Sequence, residues 1–402
     1  MQLNERQYSP DFQRKITETA TRAKSFAEAA TISTIWSEQK VASRTVARIA
    51  EEVGHERTVT RDAEVDDFTH HRRQAEGIDP KHELVAVFVD GGRVQIRDET
   101  PGLGAGVHNE CWHEDKIARM QTMTSLCHAV DPCPEPPECF RKPLLASEGK
   151  SRSPAAISPD ISSELQSFFD GKPNRETAPV WQPEPLVRTC VGTMKPLEDF
   201  RWMVQAEAKR RHFFTAHKKA FVADGSHGNW SLWHRHFPTF VPILDFLHAA
   251  EYLHAAAKVL DAATFAYEWV RDLWQGRSGL VIAALRAALD VRGIGDATLD
   301  EKHPLFELQR AWTYLTNASD KLDYPRYRQE GLPCTSSLIE SQIKEFNARL
   351  KGSEKFWYES NAESMLQLVC ATLGEDGPTL EDYFANRPTS QLRRGDPKTP
   401  AI

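Results

Sequence analysis

The chain has 402 residues, a formal charge of −7, and 40% hydrophobic and 27% charged residues, a balance that fits a soluble globular protein of two or three domains. Its longest apolar run, Val241 to Leu260, is broken by Asp245, His248, Glu251 and His254, which excludes a membrane span, and Met1 to Arg6 lacks an apolar signal core. A cytoplasmic protein with seven reduced cysteines is expected, and the acidic surplus argues against a nucleic-acid partner only if charge is spread evenly.

Residues 1–80 read as helices. Ser25 and Glu28 make a capping box opening one helix. In the next, Val46, Ile49, Ala50 and Val53 have helical spacing, Ser43 stands as cap and Gly54 where a terminating glycine belongs. That leaves Arg44, Thr45 and Arg48 facing outward, as on a helix-turn-helix that touches base edges; a plain helical hairpin fits the same pattern. From Leu84 the texture changes to strands: Leu84–Val89, a turn at Gly91-Gly92, then Arg93–Arg97, with a third strand over Lys116–Met123. Gly102-x-Gly104-x-Gly106 reads as a loop, and no GxxxxGK[ST] occurs, so no nucleotide cofactor is expected. Residues 131–185 form a Pro/Ser-rich insertion with a short helix near Ile161 to Phe169. Cys127, His128, Cys133 and Cys139 have the wrong spacing for zinc. A helix over Pro196–Phe214 leads into a strand ending at Asp224, and another strand covers Thr239–Leu244. Residues 246–318 are helical throughout, 319–373 carry a further helical segment, and the polar, Pro-rich piece from about 374 to 402 reads as loosely ordered.

Three carboxylates carry the chemistry. Asp90 ends Val85–Val89 and Asp224 ends Ala220–Ala223, each before glycine, while Glu340 lies in a segment where Leu338, Ile339, Ile343 and Phe346 have helical spacing. Acids brought together from two strand ends and a helix repel one another unless a hard cation neutralises them, which is the chemistry of an Mg²⁺ or Mn²⁺ site. Each aspartate alone is equally an ordinary turn residue. Lys344, Asn347 and Lys351 follow Glu340 on nearly one helix face, and with Arg349 they lie in a locally basic segment suited to a DNA backbone. Phe356 and Trp357 read as core residues, with stacking on a frayed base as the alternative.

The ordered set Phe221–Trp230, His236-Phe237-Pro238, Val241–Leu253, Leu322–Arg328, Thr335–Lys344 and Arg349–Trp357 resembles the DDE transposases of bacterial insertion sequences, most closely the ISKra group, over about residues 10–370. The resemblance implies an α/β chain. Its RNase H-like mixed-sheet core would span 81–245 and 319–373, interrupted by an all-α insertion over 246–318 as in Mutator-like relatives and preceded by the helix-turn-helix-like unit. It implies two Mg²⁺ or Mn²⁺ ions held by Asp90, Asp224 and Glu340, with Asp245 and His248 bracing the core as a D-x-x-H pair and Lys344 beside them. Implied partners are the double-stranded DNA of the element's ends and of the target, in a nucleoid-associated homo-oligomer. The chain departs from the pattern in carrying Thr335-Ser336-Ser337 where relatives have glycines. An RNase H-superfamily nuclease without strand transfer, or a transposase-derived DNA-binding regulator, would share parts of this plan.

Overall fold

Val85, Val87 and Val89 point to one face of a strand, Leu84, Ala86 and Phe88 to the other, and all six are buried. The apolar run is unbroken because helices cover both faces. In the computed structural model, which describes residues 8–72, 81–97, 111–137, 182–295, 298–351, 355–377 and 380–387, this strand is central to a five-stranded mixed sheet. Its strands are β1 (Leu84–Gln95), β2 (Trp112–Met123), β3 (Pro185–Thr193), β4 (Lys218–Ala223) and β5 (Val241–Leu244), in the order β3-β2-β1-β4-β5. The β1–β2 and β2–β3 pairs are antiparallel; β1–β4 and β4–β5 are parallel.

The described helices are α1 (Pro10–Arg22), α2 (Phe26–Ser37), α3 (Ser43–Thr69), α4 (Leu197–Arg210), α5 (His227–His236), α6 (Phe246–Val259), α7 (Ala263–Trp274), α8 (Ser278–Asp290), α9 (Phe306–Asn317), α10 (Tyr324–Gln329), α11 (Ser337–Leu350), α12 (Glu359–Leu373) and α13 (Leu380–Asn386). α4 and α5 cover the valine face of β1 with Phe200, Val204, Ala208 and Leu232. The opposite face shares one larger core with α1–α3, with α6–α9 from the segment expected to be all-helical, and with α11 and α12. β5 ends the sheet, and its Pro242 and Leu244 carbonyls accept from the Tyr327 and Tyr324 hydroxyls of α10 at 3.2 and 3.0 Å. Among the described residues no helix is long and apolar enough to cross a membrane.

Four local expectations are corrected. β1 does not turn at Gly91-Gly92 but runs through both glycines in register with Lys116 and Asp115 of β2. Close approach is what those glycines permit: a Cβ on Gly91 would lie 2.6 Å from the Asp115 carbonyl oxygen, and one on Gly92 would collide with Lys351 Nζ. α3 does not stop at Gly54 but continues to Thr69; Gly54 is glycine because α12 crosses there, and a Cβ on it would lie 2.6 Å from the Ser364 carbonyl oxygen. Ser43 is its first helical residue, Ala42 being the cap, whereas Ser25 caps α2 as expected and accepts from the Glu28 amide at 3.1 Å. Past Gly374 the chain forms α13, whose Leu380 and Phe384 are buried, and Arg387 after it pairs with Glu56 at 2.8 Å. The helix expected near Ile161, the Gly102–Gly106 loop and Cys139 lie outside the described residues.

Candidate functional site

The β1–β4 register ends at Val89 opposite Ala223, and the β4–β5 register at Ala223 opposite Leu244. The next residues are Asp90, Asp224 and Asp245. Asp224 and Asp245 follow the ends of β4 and β5, and Asp90 lies inside β1, opposite Ile117 of β2, at the level where the pairing with β4 stops; strands about 4.8 Å apart set the three side by side.

Their surroundings differ. Asp90 is half-buried, and its Oδ1 accepts from the Gly91 amide at 2.7 Å. Burial pushes its carboxyl up to about 6; His248 and the Gly91 amide oppose this, while Asp224 and Asp245 add to it. Asp224 Oδ1 accepts from the Ser226 amide at 3.1 Å and from Asn229 Nδ2 at 2.7 Å, a turn that feeds directly into α5. Among the described residues, hydrogen bonds engage only the Oδ1 atoms of Asp90 and Asp224, which leaves each Oδ2 for a cation.

Asp245 is fully buried and already committed. It caps α6 through the Leu247 amide at 3.2 Å, and takes the Ser336 amide at 2.9 Å on Oδ1 and the Ser336 hydroxyl at 2.6 Å on Oδ2. His248 lies one turn on, Nε2 3.6 Å from Asp245 Oδ2 and Nδ1 3.4 Å from Glu251 Oε2, so an acid–histidine–acid row runs along one face of α6. Glu251 is 5% exposed, and neither of its carboxylate oxygens makes a hydrogen bond within the described residues.

α11, which carries Glu340, is fixed at both ends. Ser336 ties its start to Asp245, and Arg119 Nη1 donates to the Leu338 carbonyl at 2.7 Å. Past its end, Lys351 Nζ reaches Asp115 Oδ1 at 3.4 Å. Arg119 stands opposite Phe88 and Asp115 opposite Gly92, so the two anchors bracket Asp90 on β1. Glu340 lies two residues past Leu338 within this span; its side chain is outside the described residues, and so is that of Gln342. Among the described residues no group of three His, Cys, Asp or Glu side chains could hold a metal ion.

The other expected contacts sort by burial. Arg44 and Lys344 are exposed and Thr45 is half-buried; Arg48 is half-buried, 3.9 Å from Glu52 and over the Tyr8 ring. Arg349 is not on a surface stripe: 3% exposed, it donates to the Ala20 carbonyl at 2.6 Å and lies between Phe26 and Trp357, and burial pushes its guanidinium down to about 10. Lys351 is likewise drawn inward by Asp115, a fully buried carboxyl raised by desolvation and lowered by Lys351 itself. Trp357 is core, its indole N–H on the Leu350 carbonyl at 2.9 Å.

Sequence reading missed Asn229, Asp115, Glu251 and Tyr314. Tyr314 of α9 stacks on Tyr252 of α6 with ring centroids 3.9 Å apart and borders a cavity of about 350 Å³ that opens beside Gly225. Only Gly225 directly after Asp224 hinted that something large packs there. No protein-family model matches the chain, and no curated protein is significantly similar to it.

Proposed function

We propose that the chain is a metal-dependent DNA strand transferase of the DDE transposase kind, built on an RNase H-like core, with Asp90, Asp224 and Glu340 as its metal-binding acids. The observation that carries this reading is the level placement of Asp90 and Asp224 on adjacent parallel strands, with the helix of Glu340 anchored on both sides of Asp90. The donor set fits a hard divalent cation: a carboxyl raised to about 6 by burial, with Asp224 and Asp245 adding to the rise, gains most from a neutralising charge. When bound, two Mg²⁺ or Mn²⁺ ions supply Lewis-acid stabilisation to the oxygens entering and leaving phosphorus.

The chain's own residues do the rest. Asn229 and the Ser226 amide hold the Asp224 carboxylate by one oxygen, which fixes the direction of the other. Asp245, with Ser336, sets the start of α11 and hence where Glu340 leaves it. Exposed Lys344, one turn beyond Glu340, offers positive charge to a phosphate backbone, and exposed Arg44 does so at the start of α3. The partners under this reading are the double-stranded ends of the element and its target, bound by a homo-oligomer in the cytoplasm.

The test uses purified protein with Mg²⁺ or Mn²⁺, a duplex end already bearing a 3′-hydroxyl, and a plasmid. Joined products are expected, and Asp224→Asn should abolish cutting and joining together. Brisk hydrolysis with no joined product would replace this reading with a nuclease of the same core. Retention of metal-dependent activity by Asp224→Asn would remove the site altogether.

A further inference from the structure

The end of β1 stands between two neighbours. On one side Gln95 is paired with Trp112, the first residue of β2. On the other, the chain after α11 runs parallel to β1: the Trp357 amide donates to the Gln95 carbonyl at 3.0 Å, and the Arg97 amide to the Trp357 carbonyl at 2.7 Å. Side chains alternate along a strand, and partners directly opposite one another share a face. Ile96 and Trp357 are opposite and both turn inward, each 7% exposed. Arg93, Gln95, Arg97, Trp112 and Tyr358 therefore turn outward together. Strands about 4.8 Å apart put Trp112 and Tyr358 roughly 10 Å from each other, with Gln95 between them and an arginine on either side of it along the chain.

This face is open and its charge is available. Trp112 is 42% exposed and Tyr358 45%, and both arginines are exposed. The Arg97 guanidinium lies over the Tyr358 ring, 5.3 Å from its centroid. Glu114, opposite Arg93 on β2, pairs with Lys116 at 3.3 Å, and Arg93 makes no hydrogen bond or ion pair within the described residues. Flat rings interleaved with guanidinium groups suit a strand of nucleic acid, because bases stack on the rings while phosphates take the charge. Duplex DNA keeps its base faces stacked on one another, so the aromatic pair selects a strand that is unpaired.

We propose that this face binds an unpaired nucleic-acid strand, with bases stacked on Trp112 and Tyr358 and phosphates held by Arg93 and Arg97. The surface is separate from the carboxylate site. Gln95 lies five residues past Asp90 along β1 (95 − 90), roughly 17 Å away, and points to the other side of the pleat. The inference therefore goes beyond the metal-site reading and does not require it.

The experiment follows the fluorescence anisotropy of labelled oligothymidylate, oligouridylate and duplex DNA of about 20 nucleotides, a length that exceeds one single-strand site. It is run in EDTA, so that no metal takes part, with wild type, Trp112→Ala, Trp112→Phe, Arg93→Gln, Asp224→Asn and Phe265→Ala. Phe265, 52% exposed in the helical insertion, serves as an exposed ring elsewhere. Wild type should bind single strands more tightly than duplex, and the tighter of the two oligonucleotides names the natural strand. Trp112→Ala should weaken single-strand binding about 5- to 100-fold, and Trp112→Phe should recover most of that loss. Arg93→Gln should weaken binding and lower the salt slope by about 0.7. The Trp112 and Arg93 variants should melt with wild type, since both side chains are exposed, and Phe265→Ala and Asp224→Asn should bind as wild type does. Binding by Trp112→Ala within about twofold of wild type would overturn the inference, as would tighter binding of duplex or no binding at all. A wild type that sediments as a dimer, is dispersed by Trp112→Ala and ignores both oligonucleotides would reassign the face to protein contact. Because binding is read without metal, a wild type that binds in this way but neither nicks nor joins DNA would sink the metal site and leave this inference standing.

Discussion

Replacing Asp90 by asparagine should make the protein more stable while abolishing the strand transfer proposed above. A carboxyl with an ordinary value of 3.8 that titrates at about 6 in the folded chain is held protonated by its site. The folded state then binds more protons than the unfolded state between those values, so wild-type stability falls as pH rises from about 4 through 6, and the full cost persists above 6. At about 1.4 kcal/mol per pH unit the cost approaches 3 kcal/mol. Asp90 is half-buried, so water screens part of it, and about 1–3 kcal/mol is expected. Asparagine keeps the oxygen that accepts from Gly91 and removes the charge that Asp224 and Asp245 repel. Thermal unfolding of both proteins at pH 4.5 and 7.5 measures this. The variant should melt a few degrees higher at pH 7.5, and the gap should shrink towards pH 4.5. Added Mg²⁺ should also narrow it, by stabilising only the wild type. A variant less stable than wild type at pH 7.5, or a gap equal at both pH values, would refute the account of a desolvated acid at this position.

Three other outcomes follow from the packing. Asp245→Asn and Ser336→Ala should each cost about 1–3 kcal/mol in urea unfolding, and the double variant should cost clearly less than both together; strict additivity would show that the two do not act as one unit. Gly54→Ala would gain about 1 kcal/mol in an open helix, but here it should lose about 1–3 kcal/mol as α12 is pushed off α3, and a gain would contradict the contact. Arg349→Lys should lower the melting temperature without altering plasmid affinity; weaker DNA binding at unchanged stability would return Arg349 to the DNA surface.

The parts of this fold that were legible in the sequence are those governed by local pattern. Val85–Val89 and Ala220–Ala223 announced strands by β-rich runs; Asp224 does follow its strand, whereas Asp90 lies inside β1, level with the end of its pairing to β4. The Ser25–Glu28 box and the alanine-rich stretch after Phe246 announced helices that formed. What failed was decided by distant neighbours. Paired glycines usually signal a turn, and only the Asp115 backbone and Lys351 explain why Gly91 and Gly92 are glycine inside a strand. Gly54 looked like a helix end because Ser364, 310 residues later, is invisible to a local window. Ser336 read as one small residue among three, yet its hydroxyl is a partner of a buried aspartate. Basic residues at helical spacing looked like a DNA stripe, whereas Phe26, Trp357 and Asp115 take two of them inward.

The contact of α3 with α12, reinforced by Arg387 on Glu52 and Glu56 and by Arg349 on the Ala20 carbonyl, has a consequence for how this protein is made. The first three helices can pack on one another as they leave the ribosome, but the face of α3 that α12 covers has no partner until some of the last residues are synthesised. During translation the face of α3 around Gly54 must therefore wait for the helix that brings Ser364 against it. A chain that stops after the sheet and insertion are complete would lack the helix of Glu340 and the helix that covers α3, and would be expected to clump or be degraded rather than to persist.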